Sequence, residues 1–217
     1  MLTSLYSDQS TNWPASGRYI LAQFTPTTIT VYQAYNRFIA SYAVQHQTLG
    51  GPDFSLTRMT WIKPNFAWMM YRSAWATSKN QEHILAIELQ RTVWDEMLLH
   101  GVVSSYGQSR AFANQEEWNA ELKNSKIRIQ WDPDHSLKGG KLKRRAIQVG
   151  IKHEWMENYL EGIVRIEDIT EFVREQGKLV EGGLLDAVMT PTETIYEVSD
   201  AIKTRLGMDM DEEAGDD

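Results

Sequence analysis

Trp68, Arg72 and Trp75 stand at i, i+4 and i+7 within RMTWIKPNFAWMMYRSAW, residues 58–75. On a helix the three share one face. A guanidinium held between two indoles gains about 0.5–2 kcal/mol, more as the contact is desolvated. Such a group can stack on a flat ring and pair with an anion. Tyr71 adds another ring face, Lys63 a cation just before the helix, and Arg128 and Arg144 cations further along that suit phosphate oxygens. The competing reading is a core helix, because Phe66, Met69, Met70 and Tyr71 cover its other sides, and a helix apolar nearly all round is usually buried.

Other chemistries leave fainter traces. No two of the five histidines have zincin spacing. WDPDH (131–135) sets His135 beside Asp132 and Asp134, which reads as a hydrogen-bonded turn, so no metal is expected. Cysteine is absent, which removes disulfides, thiolate nucleophiles and zinc-finger ligation. There is no Walker A sequence, no G-x-G-x-x-G and no G-x-S-x-G. KGGKLKRR (138–145) could offer amides and lysines to a phosphate, or be a solvated basic hairpin.

The elements that would position these groups are legible from periodicity. RYILAQF (18–24) and ITVYQAY (29–35) read as strands, and NRFIASYAVQHQ (36–47) as a helix capped by Asn36. TRMTWI (57–62) is a short strand, followed at Pro64 and Asn65 by a helix running from 65 to about 76. HILAIELQ (83–90) alternates, and NQEEWNAELKN (114–124) is a short helix. KIRIQW (126–131) and RRAIQVGIK (144–152) form a hairpin around the loop DPDHSLKGGKLK. EWMENYL (154–160) is helical, IVRIED (163–168) is a strand, and DITE (168–171) is an Asp-headed capping box. TPTE (190–193) predicts a capping box opening a helix whose apolar face is Ile195, Val198, Ile202 and Leu206, stopped by Gly207.

With 217 residues the chain fits one large domain or two small ones. Intermingled strands and helices without regular βαβ alternation argue for a single α+β domain over 18–206, with a loose lead-in at 1–17 and a disordered acidic tail at 207–217. The net charge of −7 is uneven: residues 123–145 carry +6 and residues 154–217 carry −13. That excludes a bulk nucleic-acid binder but allows a local grip on one phosphate-bearing ligand. No apolar run nears the roughly 18 residues of a membrane span. The N-terminus lacks the basic start and apolar core of a secretory signal, so a cytoplasmic location is expected. Oligomeric state is not readable.

VYQAYNRFIA, RMTWIKPNFAWMMYRSAW with QEHILAIEL, and WDPDH, RRAIQVGI and IVRIEDIT together resemble a functionally uncharacterised domain-of-unknown-function family associated with bacteria and fungi. The likeness runs from about residue 18 to 176. In order of elements the chain is also similar to the ADP-ribosyltransferase fold, which binds NAD in a cleft between two small sheets. That resemblance implies mixed or antiparallel split sheets with packed helices, NAD as cofactor, and a site with Gln33 or Tyr35 at the first motif, Thr60 and Tyr71 at the second and Gln148 at the third. Gln33 stands where that fold usually carries a histidine or arginine. Gln148 lacks the negative charge that stabilises an oxocarbenium-like centre, and Glu88 is a possible substitute.

Three readings follow. The first is an ADP-ribosyltransferase-like enzyme that binds NAD or another adenosine-phosphate ligand and acts on a nucleotide or nucleic acid. Gln33 and Thr60 would bond ribose, Tyr71 and nearby tryptophans such as Trp68 would stack, Arg128, Arg144 or Lys63 would meet phosphates, and Arg72 would line the ligand pocket. The second is a non-catalytic module for single-stranded RNA or a modified nucleotide, with aromatic platforms beside a basic hairpin. The third is a structural or partner-binding protein whose tryptophans are core.

Overall fold

The computed structural model describes residues 1–109 and 111–208. The strands are β1 (Thr3–Leu5), β2 (Gly17–Arg18), β3 (Leu21–Ala22), β4 (Thr28–Tyr35), β5 (Thr60–Ile62), β6 (His83–Gln90), β7 (Val102–Val103), β8 (Ile127–His135), β9 (Lys141–Ile151), β10 (Ile163–Asp168), β11 (Met189–Pro191) and β12 (Thr194–Ile195). The helices are α1 (Tyr6–Ser10), α2 (Arg37–His46), α3 (Phe66–Ser73), α4 (Arg91–His100), α5 (Gln115–Asn124), α6 (Met156–Glu161), α7 (Thr170–Glu181) and α8 (Asp200–Leu206). The chain is α+β, with its strands divided among several sheets. No helix among the described residues is long and apolar enough to cross a membrane.

β6 is the central strand of an antiparallel sheet ordered β10-β6-β4. Its alternation sorts two apolar sets onto two faces, and both are covered. Leu85, Ile87 and Leu89 join the main core. Ile84 and Ala86 join a second cluster with Tyr32, Phe66, Met69 and Met70. A second sheet runs β2-β9-β8-β7, with β5 also paired to β9. Its inner residues Ile129, Trp131, Ile147 and Val149 meet Val31 and Leu85 of the first sheet in the main core. Backbone bonds between Tyr32 and Lys63, 2.7 and 3.2 Å long, tie the two sheets at one point.

α3 begins where the sequence places it, because Asn65 Oδ1 accepts the Trp68 N–H at 2.7 Å. It touches β4 of one sheet and β8 of the other, so it roofs the place where the sheets meet. It ends at Ser73, earlier than expected. Ala74, Trp75 and Ala76 all have positive φ, between 47° and 64°. Such a run is strained for residues bearing a Cβ, and it turns Trp75 off the helix axis. Trp75 instead packs on Phe66 edge-on and donates from Nε1 to the Leu137 carbonyl at 3.3 Å.

Four other segments depart from expectation. Residues 18–24 are two short strands, because Arg18 pairs in parallel with Arg145 while Leu21 and Ala22 pair with β12. Residues 1–17, expected as a loose lead-in, contribute β1 to a ladder with β11 and bury Gln9. The hairpin loop shrinks to about residues 136–140, since β8 and β9 pair as far as His135 and Lys141. TPTE does not open a helix. Thr190 and Pro191 lie in β11, an edge strand that tolerates proline. The helix starts at Asp200, capped by Ser199. Gly207 does stop it, at φ 64°. Of the acidic tail, residues 209–217 lie outside the described residues, while Met208 packs on the core.

Candidate functional site

Alternation on β8 and β9 turns Gln130, Asp132 and Gln148 to the face opposite Ile129, Trp131 and Val149. Gln130 and Gln148 are cross-strand partners. Gln148 Nε2 donates to Gln130 Oε1 and to Asp132 Oδ2, both at 2.7 Å. This polar floor lies beside α3. Lys63, one residue past β5, is 5% exposed, and its Nζ makes no hydrogen bond or ion pair among the described residues. It lies 5.9 Å from the centre of the Trp68 ring. Burial pushes its amine down to about 8, the Arg72 charge adds to the shift, and Asp132 opposes it. Burial raises the Asp132 carboxyl, against the Gln148 hydrogen bond and the charges of Lys63, Arg145 and His135.

Aromatic rings line the same side. Tyr71 and His135 stack with centroids 3.6 Å apart at 10°. Trp68 lies 5.3 Å from His135 at 11°. Tyr71 is 45% exposed while Trp68 is buried, so the tile has one sunken and one open ring. Trp68 Nε1 and both His135 ring nitrogens are sealed from solvent without a partner among the described residues. Burial lowers the His135 pKa, so the neutral ring is favoured.

Lys63, Tyr71, Trp68 and Gln148 therefore belong to one neighbourhood, and Asp132, Gln130 and His135 join them. Sequence reasoning saw Asp132 and His135 only as a turn, because the extra strand length that aims them is set by pairing with β9. Arg72 is exposed and is not held between two indoles, since Trp75 has left the helix.

Gln33, Tyr35 and Thr60 do come together, but on the core side. Gln33 Nε2 donates to Tyr35 Oη at 2.9 Å, Thr60 Oγ1 at 2.7 Å and the Trp61 carbonyl at 3.2 Å. Its Oε1 accepts from the buried Tyr159 hydroxyl at 2.9 Å. Burial raises the pKa of Tyr35 to about 12 and that of Tyr159 well above its ordinary value, so both stay protonated. This is a closed network whose members satisfy each other. Thr60 faces the side of Ile151, and Gln148 the other side of the same strand, so the expected pocket shared by Gln33 and Gln148 is not formed. Glu88 faces outward near Arg165, 3.9 Å away.

The two distal arginines are also spoken for. Arg144, 5% exposed, donates from Nε and Nη2 to Asp134 Oδ2 at 2.9 and 2.6 Å, and from Nη1 to the Pro14 carbonyl at 2.6 Å. It is a buried tether and not an open phosphate contact. Arg128 reaches the Leu122 carbonyl at 3.2 Å, and its Nε is sealed without a partner among the described residues. A cavity of about 280 Å³ lined by His100, Asn124, Lys126, Ile127 and Trp155 contains none of these residues.

The model of one protein family, described as Domain of unknown function (DUF4291), matches residues 19–196. The chain belongs to that family. The match takes in the first sheet, all of the second sheet but β2, α3 and every candidate residue from Gln33 to Gln148, so the DUF4291 region contains the whole neighbourhood. No curated protein matches the chain.

Proposed function

We propose that this chain binds NAD or another adenosine-phosphate ligand beside α3, as an ADP-ribosyltransferase-like enzyme acting on a nucleotide or nucleic acid in the cytoplasm. The observation that carries the reading is Lys63: a buried cation that makes no hydrogen bond or ion pair among the described residues, with Asp132 acting on it only at longer range and a parallel ring tile beside it. A buried ammonium costs several kcal/mol unless something offsets it, and a phosphate would supply the missing negative charge. Tyr71, open to solvent, offers a face on which a base can stack. Gln130, Asp132 and Gln148 offer acceptors and an amide for ribose hydroxyls.

Catalysis by Gln33 and Thr60 draws no support from their closed network. A transferase on this chain would use groups on the outer face. A stand-alone single-stranded RNA module draws less support, because Arg144 is committed to Asp134 and Pro14.

Calorimetric titration with NAD, ADP-ribose and AMP tests the reading. Binding in the micromolar to millimolar range is expected, weakened about tenfold or more by Lys63→Met through loss of one charge-assisted contact. Release of nicotinamide from NAD in the presence of an RNA oligonucleotide would report the transferase step. If none of the three ligands binds at millimolar concentration, the reading fails.

A further inference from the structure

We propose that Lys63 is an imine-forming residue, and that the ligand class it takes covalently is a reducing ribose phosphate whose open form carries an aldehyde. This rests on the nucleotide-site reading above and names the chemistry of that site. Three observations converge on it. The Lys63 backbone is clamped by the two bonds to Tyr32 and followed by Pro64, so the side chain leaves from a fixed point. Among the described residues its amine has no hydrogen-bond or ion-pair partner to give up, and it lies 5.9 Å from the centre of the Trp68 ring at the edge of the tile that Tyr71 opens to solvent. Asp132, two-thirds of the way along β8 on the same outer face, lies within range for its charge to act on Lys63 without forming a direct ion pair among the described residues, and burial keeps that carboxyl more basic than usual.

The step balances without an oxidant or reductant. The neutral amine adds to the aldehyde carbon and forms the C–N bond. The carbonyl oxygen leaves as water, carrying both protons of the original amine. Asp132 can take a proton at addition and return it as the hydroxyl departs. An amine titrating near 8 has on the order of a hundredfold more free base at pH 8 than an ordinary lysine.

Reductive trapping tests this. The full chain is incubated at pH 8 with ribose 5-phosphate or ADP-ribose and cyanoborohydride, then digested and mapped by mass spectrometry. Labelling of Lys63 is expected to run at least about tenfold faster than labelling of the exposed Lys79 and Lys123. Lys63→Arg keeps the cation and should abolish the adduct while the circular dichroism spectrum stays unchanged. Label spread over exposed lysines, with Lys63 unmodified in folded protein, overturns the proposal. NAD has no free aldehyde, so its calorimetric binding is read separately. NAD binding without Lys63 labelling sinks the imine alone, and labelling without nucleotide binding sinks the nucleotide reading alone.

Discussion

Lys63 concentrates the conflict between stability and use at a single side chain. An unfolded lysine holds its proton to about 10.5, whereas folded Lys63 releases it near 8. Between those values the folded state binds one proton fewer, so this residue makes stability rise with pH across that window. The charges that bear on it are Arg72 from α3 and Asp132 from β8. Lys63→Met should remove the rise and stabilise the protein by about 1–3 kcal/mol at pH 7. Urea unfolding at pH 7 and pH 10 measures both effects. An unchanged pH profile would mean the amine is already solvated. A variant that is more stable yet binds less ligand is the pattern of a site kept at a cost in stability. Gln33 shows the opposite logic: each of its polar atoms is partnered, so it holds the core and offers nothing outward.

At the scale of the element, α3 depends on a residue far away in sequence. The Phe66 N–H, one of the unpaired donors of the first turn, is satisfied by Glu193 Oε1 at 2.6 Å. Asn65 Nδ2 adds a longer contact of 3.4 Å to Glu193 Oε2. Burial raises the Glu193 carboxyl well above its ordinary value, the Phe66 N–H resists this, and the Asp134 charge adds to it. Glu193→Ala strands the Phe66 N–H in the interior and should cost about 1–3 kcal/mol, read as a lower urea midpoint. A change below a few tenths would place water at the helix end. Local rules located the start of α3 through Asn65. They could not place its end, because the left-handed run at 74–76 follows from where Trp75 finds packing, beside Phe66 and Gly177. TPTE misled for a related reason: the pattern for a capping box is also satisfied when Glu193 caps a different helix.

At the scale of the molecule, the N-terminal segment closes over the buried charges. Gln9 donates to Thr190 and accepts from the Glu193 N–H, Trp13 donates to the Glu193 carbonyl, and the Pro14 carbonyl takes Arg144. Arg144 also lies 5.4 Å from the centre of the Trp13 ring. Deleting residues 1–14 opens the Arg144–Asp134 pair and Glu193 to imperfect solvation at once. A loss of about 3–5 kcal/mol, or failure to fold cooperatively, is expected, measured by denaturant unfolding. Stability equal to the full chain would show the segment to be a passive cover.

Patterning alone determined the strands β4, β5, β6, β8, β9 and β10, the helix starts capped by Asn36 and Asn65, the α+β class and the aromatic–cationic character of residues 58–75. These follow from side-chain period and from hydrogen bonds a few residues long. Which polar residues share a surface was decided only by tertiary structure. Strand pairing put Thr60 on one face of a sheet and Gln148 on the other, and it extended β8 far enough to bring Asp132 within reach of the Lys63 charge and His135 against Tyr71. Lone arginines and glutamates took partners over a hundred residues away, as Arg144 did with Pro14 and Glu193 with Phe66. The reason is physical: a buried polar atom must find a partner wherever the packed chain supplies one, and chain distance does not enter that requirement.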